Sequence, residues 1–70
     1  MMPLTLATPG EINSIKHIGG KPEVRKHLAD LGFVPGSDVT VVAALGGNII
    51  VHVKQSRVAV SCEMAQKILV

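Results

Sequence analysis

Residues 31–37 read Leu-Gly-Phe-Val-Pro-Gly-Ser (LGFVPGS) and stand between the clearest helical pattern of the chain and its longest strand-like run. Gly32 occupies the place where a left-handed residue ends a helix, and Pro35 blocks helical continuation. Gly36 then permits a turn into the run that starts at Asp38. Signals this dense mark an obligatory change of direction. Phe33 is expected to fold back on Leu28 at the helix end, and Val34, its neighbour in an extended segment, to point the other way.

Upstream of the corner, Pro22 suits a first helical position and Glu23 suits the positive end of the helix dipole. Val24, His27, Leu28 and Leu31 then fall at i, i+3, i+4 and i+7, which predicts one helix over about residues 22–31. Before it, Thr8-Pro9-Gly10 signals a turn, and Ile12, Ile15 and Ile18 suggest a short irregular strand. Gly19-Gly20 breaks that strand and reads as a flexible turn into the helix.

Downstream, Asp38 to Leu45 places Val39, Val41, Ala43 and Leu45 on one face and Thr40, Val42 and Ala44 on the other. Gly46-Gly47-Asn48 supplies a loop, and the next strand sets Ile49, Val51 and Val53 on one side with His52 outward. Around Gln55-Ser56 the chain turns again into Arg57–Ser61, where Val58 and Val60 share a face. The segment CEMAQK reads as a short helical turn before the apolar end Ile68-Leu69-Val70, which is expected to pair with an early strand.

Composition limits what these elements can do. The 70 residues are read as a single domain, 1–70, whose 47% apolar content comes mostly from ten Val, six Ile and six Leu. This is a β-rich core without large aromatic anchors. With Cys62 the sole cysteine, no intramolecular disulfide forms, so apolar packing carries the stability. A sheet that must bury one face and avoid open edges is satisfied by closure into a small barrel. The expected architecture is therefore mainly β: a small SH3-like barrel with one inserted α-helix and a short C-terminal helical turn.

The pattern L-x-x-L-G-F-x-P-G-S-x-V-x-V-V from Leu28 to Val42 resembles the ferrous iron transport protein A (FeoA) family. The likeness continues in IIVHV, in RVAVS and in the closing A-x-x-I-x-V of Ala65, Ile68 and Val70, and it spans Leu4 to Val70. The resemblance implies a small cytoplasmic SH3-like protein that assists the ferrous iron transporter carrying a GTP-binding domain, protein B of the same system. Its action would be protein–protein interaction, with no enzymatic reaction of its own. A related domain ends iron-dependent repressors of the diphtheria-toxin-repressor type, so the resemblance also admits a metal-responsive regulatory module that binds a transition metal itself. The turn Lys54-Gln55-Ser56-Arg57 departs from the family pattern, where glycine is common, as does Ser61-Cys62, where a basic residue is common.

The residues themselves agree with a binding role. No Ser-His-Asp or Cys-His spacing is present, and Glu11, Glu23, Asp30, Asp38 and Glu63 are scattered, so no catalytic residue is assigned. Gly19-Gly20-Lys21-Pro22 lacks the full phosphate-loop spacing, and no cofactor is expected. His17, His27, His52, Cys62 and Met64 form no ligand pattern, so no metal site is assigned; the one soft constellation to test is His52 approaching Cys62 from the neighbouring strand. The net charge of +2 and the single aromatic ring, Phe33, argue against nucleic acid. No run of 18 apolar residues occurs, and the N-terminal residues carry no charged leader, so no membrane insertion is expected.

Protein contact is left as the leading reading, with Val34 as an exposed apolar contact and Lys21, Arg25 and Lys26 as a basic helix face toward an acidic partner. The apolar C-terminus leaves room for a homodimer by strand pairing.

Overall fold

Helix α1 spans Pro22–Asp30 in the computed structural model, which describes residues 1–70. Pro22 opens it, Leu31 caps it, and the glycine that follows decides how it ends. Gly32 has φ +107°, its N–H donates to the Ala29 carbonyl (2.9 Å), and the Phe33 N–H donates to the Leu28 carbonyl (2.9 Å). These paired bonds are a Schellman ending, whose characteristic apolar contact joins the residue after the glycine to the one five positions before it. Phe33 and Leu28 are that pair, and both are fully buried.

A second turn follows without a break. The Ser37 N–H donates to the Val34 carbonyl (3.1 Å), with Pro35 and Gly36 (φ +91°) in the central positions. Proline first and a positive-φ glycine second define a type II turn. Its exit is tied down at once, because Ile15 bonds both sides of the turn: its N–H donates to Ser37 (2.8 Å) and its carbonyl accepts from Gly36 (2.8 Å). The expected corner is thus two hydrogen-bonded turns in series.

The irregular strand expected over residues 12–18 is split. Strand β1 (Ile12–Ser14) pairs with β3 (Asp38–Leu45), and β2 (His17–Ile18) pairs with the C-terminal β6 (Ile68–Leu69). The four-stranded sheet has the order β1-β3-β4-β5, where β4 is Asn48–Val53 and β5 is Ser56–Ser61. One chain segment therefore serves both sheets by bending at Ile15-Lys16, which places Ile15 in the core (1% exposed). The second helix, α2 (Cys62–Ala65), links β5 to β6, and its cap is Ser61, whose hydroxyl accepts from the Met64 N–H (3.1 Å). A 3₁₀ turn at Leu4–Leu6, absent from the sequence reading, buries Leu4 completely.

Three expectations are corrected by pairing. Strict alternation puts Leu45 on the core face with Val39 and Val41, yet it is 69% exposed. The register shifts between Val41 and Ala43, so Val42 is an extra residue and every side chain beyond it changes face. The C-terminal strand has no free edge for a dimer, because β2 covers one side and Met2 the other through reciprocal bonds with Val70 (both 2.8 Å). Gly19-Gly20 is also more constrained than a flexible turn. The Gly19 N–H donates to the Lys67 carbonyl (2.7 Å), and a Cβ on Gly20 would meet Lys67 Cδ at 2.8 Å.

Two-residue loops set both hairpins of the meander. Gly46 (φ +61°) leads the first, between Leu45 and its partner Asn48. The second uses Lys54 (φ 51°) and Gln55 (φ 63°), the double positive-φ requirement of a type I′ turn, met here without glycine. The core beneath is apolar throughout: Phe33, Leu4, Ile15, Leu28, Ile68, Val39, Val51 and Val53 are its largest fully buried side chains, and no polar side chain is buried with them.

Gly36→Ala meets no atom within 4 Å of its new Cβ, so its cost is backbone strain alone, about 1 kcal/mol, read as a melting temperature lower by roughly 4–8 °C. Gln55→Gly has the opposite sign, raising the melting temperature by a few degrees by relieving the left-handed Gln55, a gain of about 0.5–1 kcal/mol.

Candidate functional site

The double turn holds Phe33, Val34 and Pro35 against one flank of α1, and β2 lies on the other side of the same depression. His17, Ile18, Arg25, Ala29, Phe33, Val34 and Pro35 line the resulting cleft of about 320 Å³. Its floor and far wall are apolar; its rim carries Arg25 and His17, both exposed. Ala29 stands one turn beyond Arg25, and its small side chain leaves the helix flank low enough for the cleft to exist.

Val34 and Arg25, singled out from the sequence, meet here although they are nine positions apart. Val34 is half-buried: its backbone anchors the type II turn while its side chain lines the cleft wall. Lys21 and Lys26 are exposed but do not line the cleft. Lys21 is the residue before the helix, its carbonyl accepting from the Arg25 N–H (3.0 Å). Lys26 sits three positions after Glu23 and four before Asp30, on the outer, solvated flank of α1, where acidic neighbours offset its charge. The cationic character facing the cleft comes from Arg25, with His17 beside it. His17, Ile18, Ala29, Phe33 and Pro35 are not marked as site residues by the sequence; Ala29 carries a signal, four residues from Arg25, but His17 and Ile18 reach the site only because β2 pairs with β6.

The soft constellation of His52 and Cys62 does not assemble. His52 pairs with Arg57 near one end of the β4–β5 hairpin, and Cys62 follows Ser61 at the other, with its N–H donating to Gly47 (2.9 Å). Four residues of strand, about 13 Å, separate the two levels. No group of three or more His, Cys, Asp or Glu side chains is placed to hold a metal ion. Cys62 is a free, half-buried thiol, and His27 is exposed on α1.

A further recess of about 360 Å³ lies on the outer face of the large sheet among Ser37, Asp38, Thr40, His52, Lys54 and Gln55. Ile12 is its one apolar wall, so it lacks the apolar floor of the α1 cleft. No helix is long and apolar enough to cross a membrane.

A search of curated proteins returns no match. Among solved structures, the crystal structure of an iron uptake regulatory protein, FeoA, is 27% identical with a TM-score of 0.86, covering 94% of this chain and 89% of that one. The solution structure of FeoA from Chlorobium tepidum is 29% identical with a TM-score of 0.83, and the match covers 96% of this chain and 66% of that one. A zinc complex of FeoA from Stenotrophomonas maltophilia, described as a procaryotic SH3 domain protein, has the same fold at 24% identity, with a TM-score of 0.74 and coverage of 99% and 88%. The mainly β architecture is thus SH3-like. The FeoA domain model matches residues 2–70, and the chain belongs to the FeoA family, whose association is with ferrous iron transport.

Proposed function

We propose that this protein is a cytoplasmic accessory module of ferrous iron uptake, working by contact with the GTP-binding part of the membrane transporter rather than by catalysis. The observation that carries the reading is the α1 cleft. It couples an apolar floor of Ile18, Phe33 and Val34 to a rim formed by the cationic Arg25 and the polar His17. Such a depression accepts one apolar side chain of a partner segment and orients an acidic group beside it, the division of labour between buried anchor and charged rim seen at protein interfaces. No cofactor has a role in this reading, and any nucleotide in the system is bound by the partner.

The alternative, a module that itself responds to metal, lacks a supporting ligand set in this chain. With His52 and Cys62 at opposite ends of their hairpin, Cys62→Ser is expected to leave the melting temperature in ferrous iron or zinc unchanged. A metal-dependent shift abolished by Cys62→Ser or His52→Ala would restore the metal reading.

Capture of the purified GTP-binding domain tests the main proposal. Val34→Asp places a charge in the apolar wall and is expected to weaken capture by at least tenfold, with melting checked to show that the variant folds. Arg25→Glu is expected to weaken capture several-fold at low salt and less at high salt, whereas Lys26→Glu, outside the cleft lining, leaves it near wild type. Equal capture by Val34→Asp, Arg25→Glu and the wild type would refute the assignment of this cleft.

A further inference from the structure

The large sheet ends on β5, and that end is open. Two-residue hairpins close on a hydrogen-bonded pair, here Val53 and Ser56, so Ser56, Val58 and Val60 direct their N–H and C=O groups into the ladder with β4. Arg57 and Ala59 alternate with them and aim theirs away from the sheet. None of the hydrogen bonds outside the regular ladders involves Arg57 or Ala59, and both residues are exposed. The usual protections of an edge are sparse: β5 runs in continuous register from Ser56 to Ser61, without bulge, proline or lysine, and Arg57 is its only charge.

We infer that β5 adds, antiparallel, to β5 of a second copy of this chain, with the two-fold axis passing at Val58. Three registers align the outward groups. One sets Arg57 opposite Arg57 of the second copy and brings like charges face to face. Another, centred on Ala59, sets Arg57 opposite Ser61, where the strand already ends because Ser61 caps α2. Centring on Val58 sets Arg57 opposite Ala59 twice over, and both residues point to the outer face of the sheet. There the small Ala59, beside its cross-strand neighbour Ile50, leaves room for the guanidinium stem, and the half-buried Val58 side chains meet on the core face.

A second copy fits this edge because the edge is complementary to itself: each outward donor meets an outward acceptor, and each Arg57 meets the small Ala59 of the other copy. The contact spans three residues and falls well short of the ~1,200 Å² of a stable interface, so the dimer is weak and concentration-dependent. The α1 cleft lies outside this edge, since none of its lining residues belongs to β5.

Sedimentation between about 10 µM and 1 mM decides the matter, and Ala59 is the position to vary. Ala59→Glu sets a carboxylate opposite each Arg57 and is expected to tighten dimerisation roughly two- to thirty-fold, a gain lost in ~1 M salt. Ala59→Lys sets like charges there and weakens it, and Ala59→Pro removes an outward N–H that the ladder with β4 does not use, leaving monomer. Should the proline variant fail to fold, the opposite signs of Glu and Lys carry the test. A wild type that stays monomeric at ~1 mM, or Glu and Lys variants that behave alike, overturns the proposal.

Discussion

Everything in this molecule depends on the helix ending at Gly32 and the strand starting after Gly36. The Phe33 N–H bonded to the Leu28 carbonyl fixes the angle at which the chain leaves α1, and it does so by burying the Phe33 ring against Leu28. A buried aromatic at this point is the only large anchor the sequence supplies, so the same contact that ends the helix also seeds the core. The type II turn that follows delivers Ser37 to Ile15, and from there β1 and β3 align with each other. A left-handed glycine at each bend makes both turns possible with little strain.

The cleft is a by-product of that corner. Val34 and Pro35 are held on the open side of the turn because Phe33 takes the closed side, and they rise against the flank of α1 that carries Arg25 and Ala29. A surface built this way is preorganised: backbone hydrogen bonds fix its apolar wall, so little ordering cost remains at binding. The family is associated with ferrous iron transport.

The large sheet has two edge strands of unequal length, β1 with 3 residues and β5 with 6. The segment Ile12–Ile18 bends from one sheet to the other, and the C-terminal strand fills the space between β2 and Met2. Both ends of the chain are thereby paired. The meander has no such device at β5, where the chain leaves the sheet through α2 and no later segment returns to cover the edge.

Local rules were legible in the sequence. Pro22, Gly32, Pro35 and Gly36 act through their own backbone restrictions, so the helix, its end and the turn could be read directly, as could the alternating strands from Asp38 to Ser61. The extra residue at Val42 was invisible, because alternation carries no mark of where a partner strand slips, and Leu45 changed face with it. Val34 and Arg25 could each be named from the chain alone, but His17 and Ile18 join them only through the β2–β6 pairing, and His52 and Cys62 are kept apart only by the β4–β5 register. The sequence by itself determined which residues turn, which cap and which prefer burial, since those are properties of single residues and near neighbours. Only the tertiary structure decided which of them meet, because strand register and sheet order are set by the joint burial of distant segments.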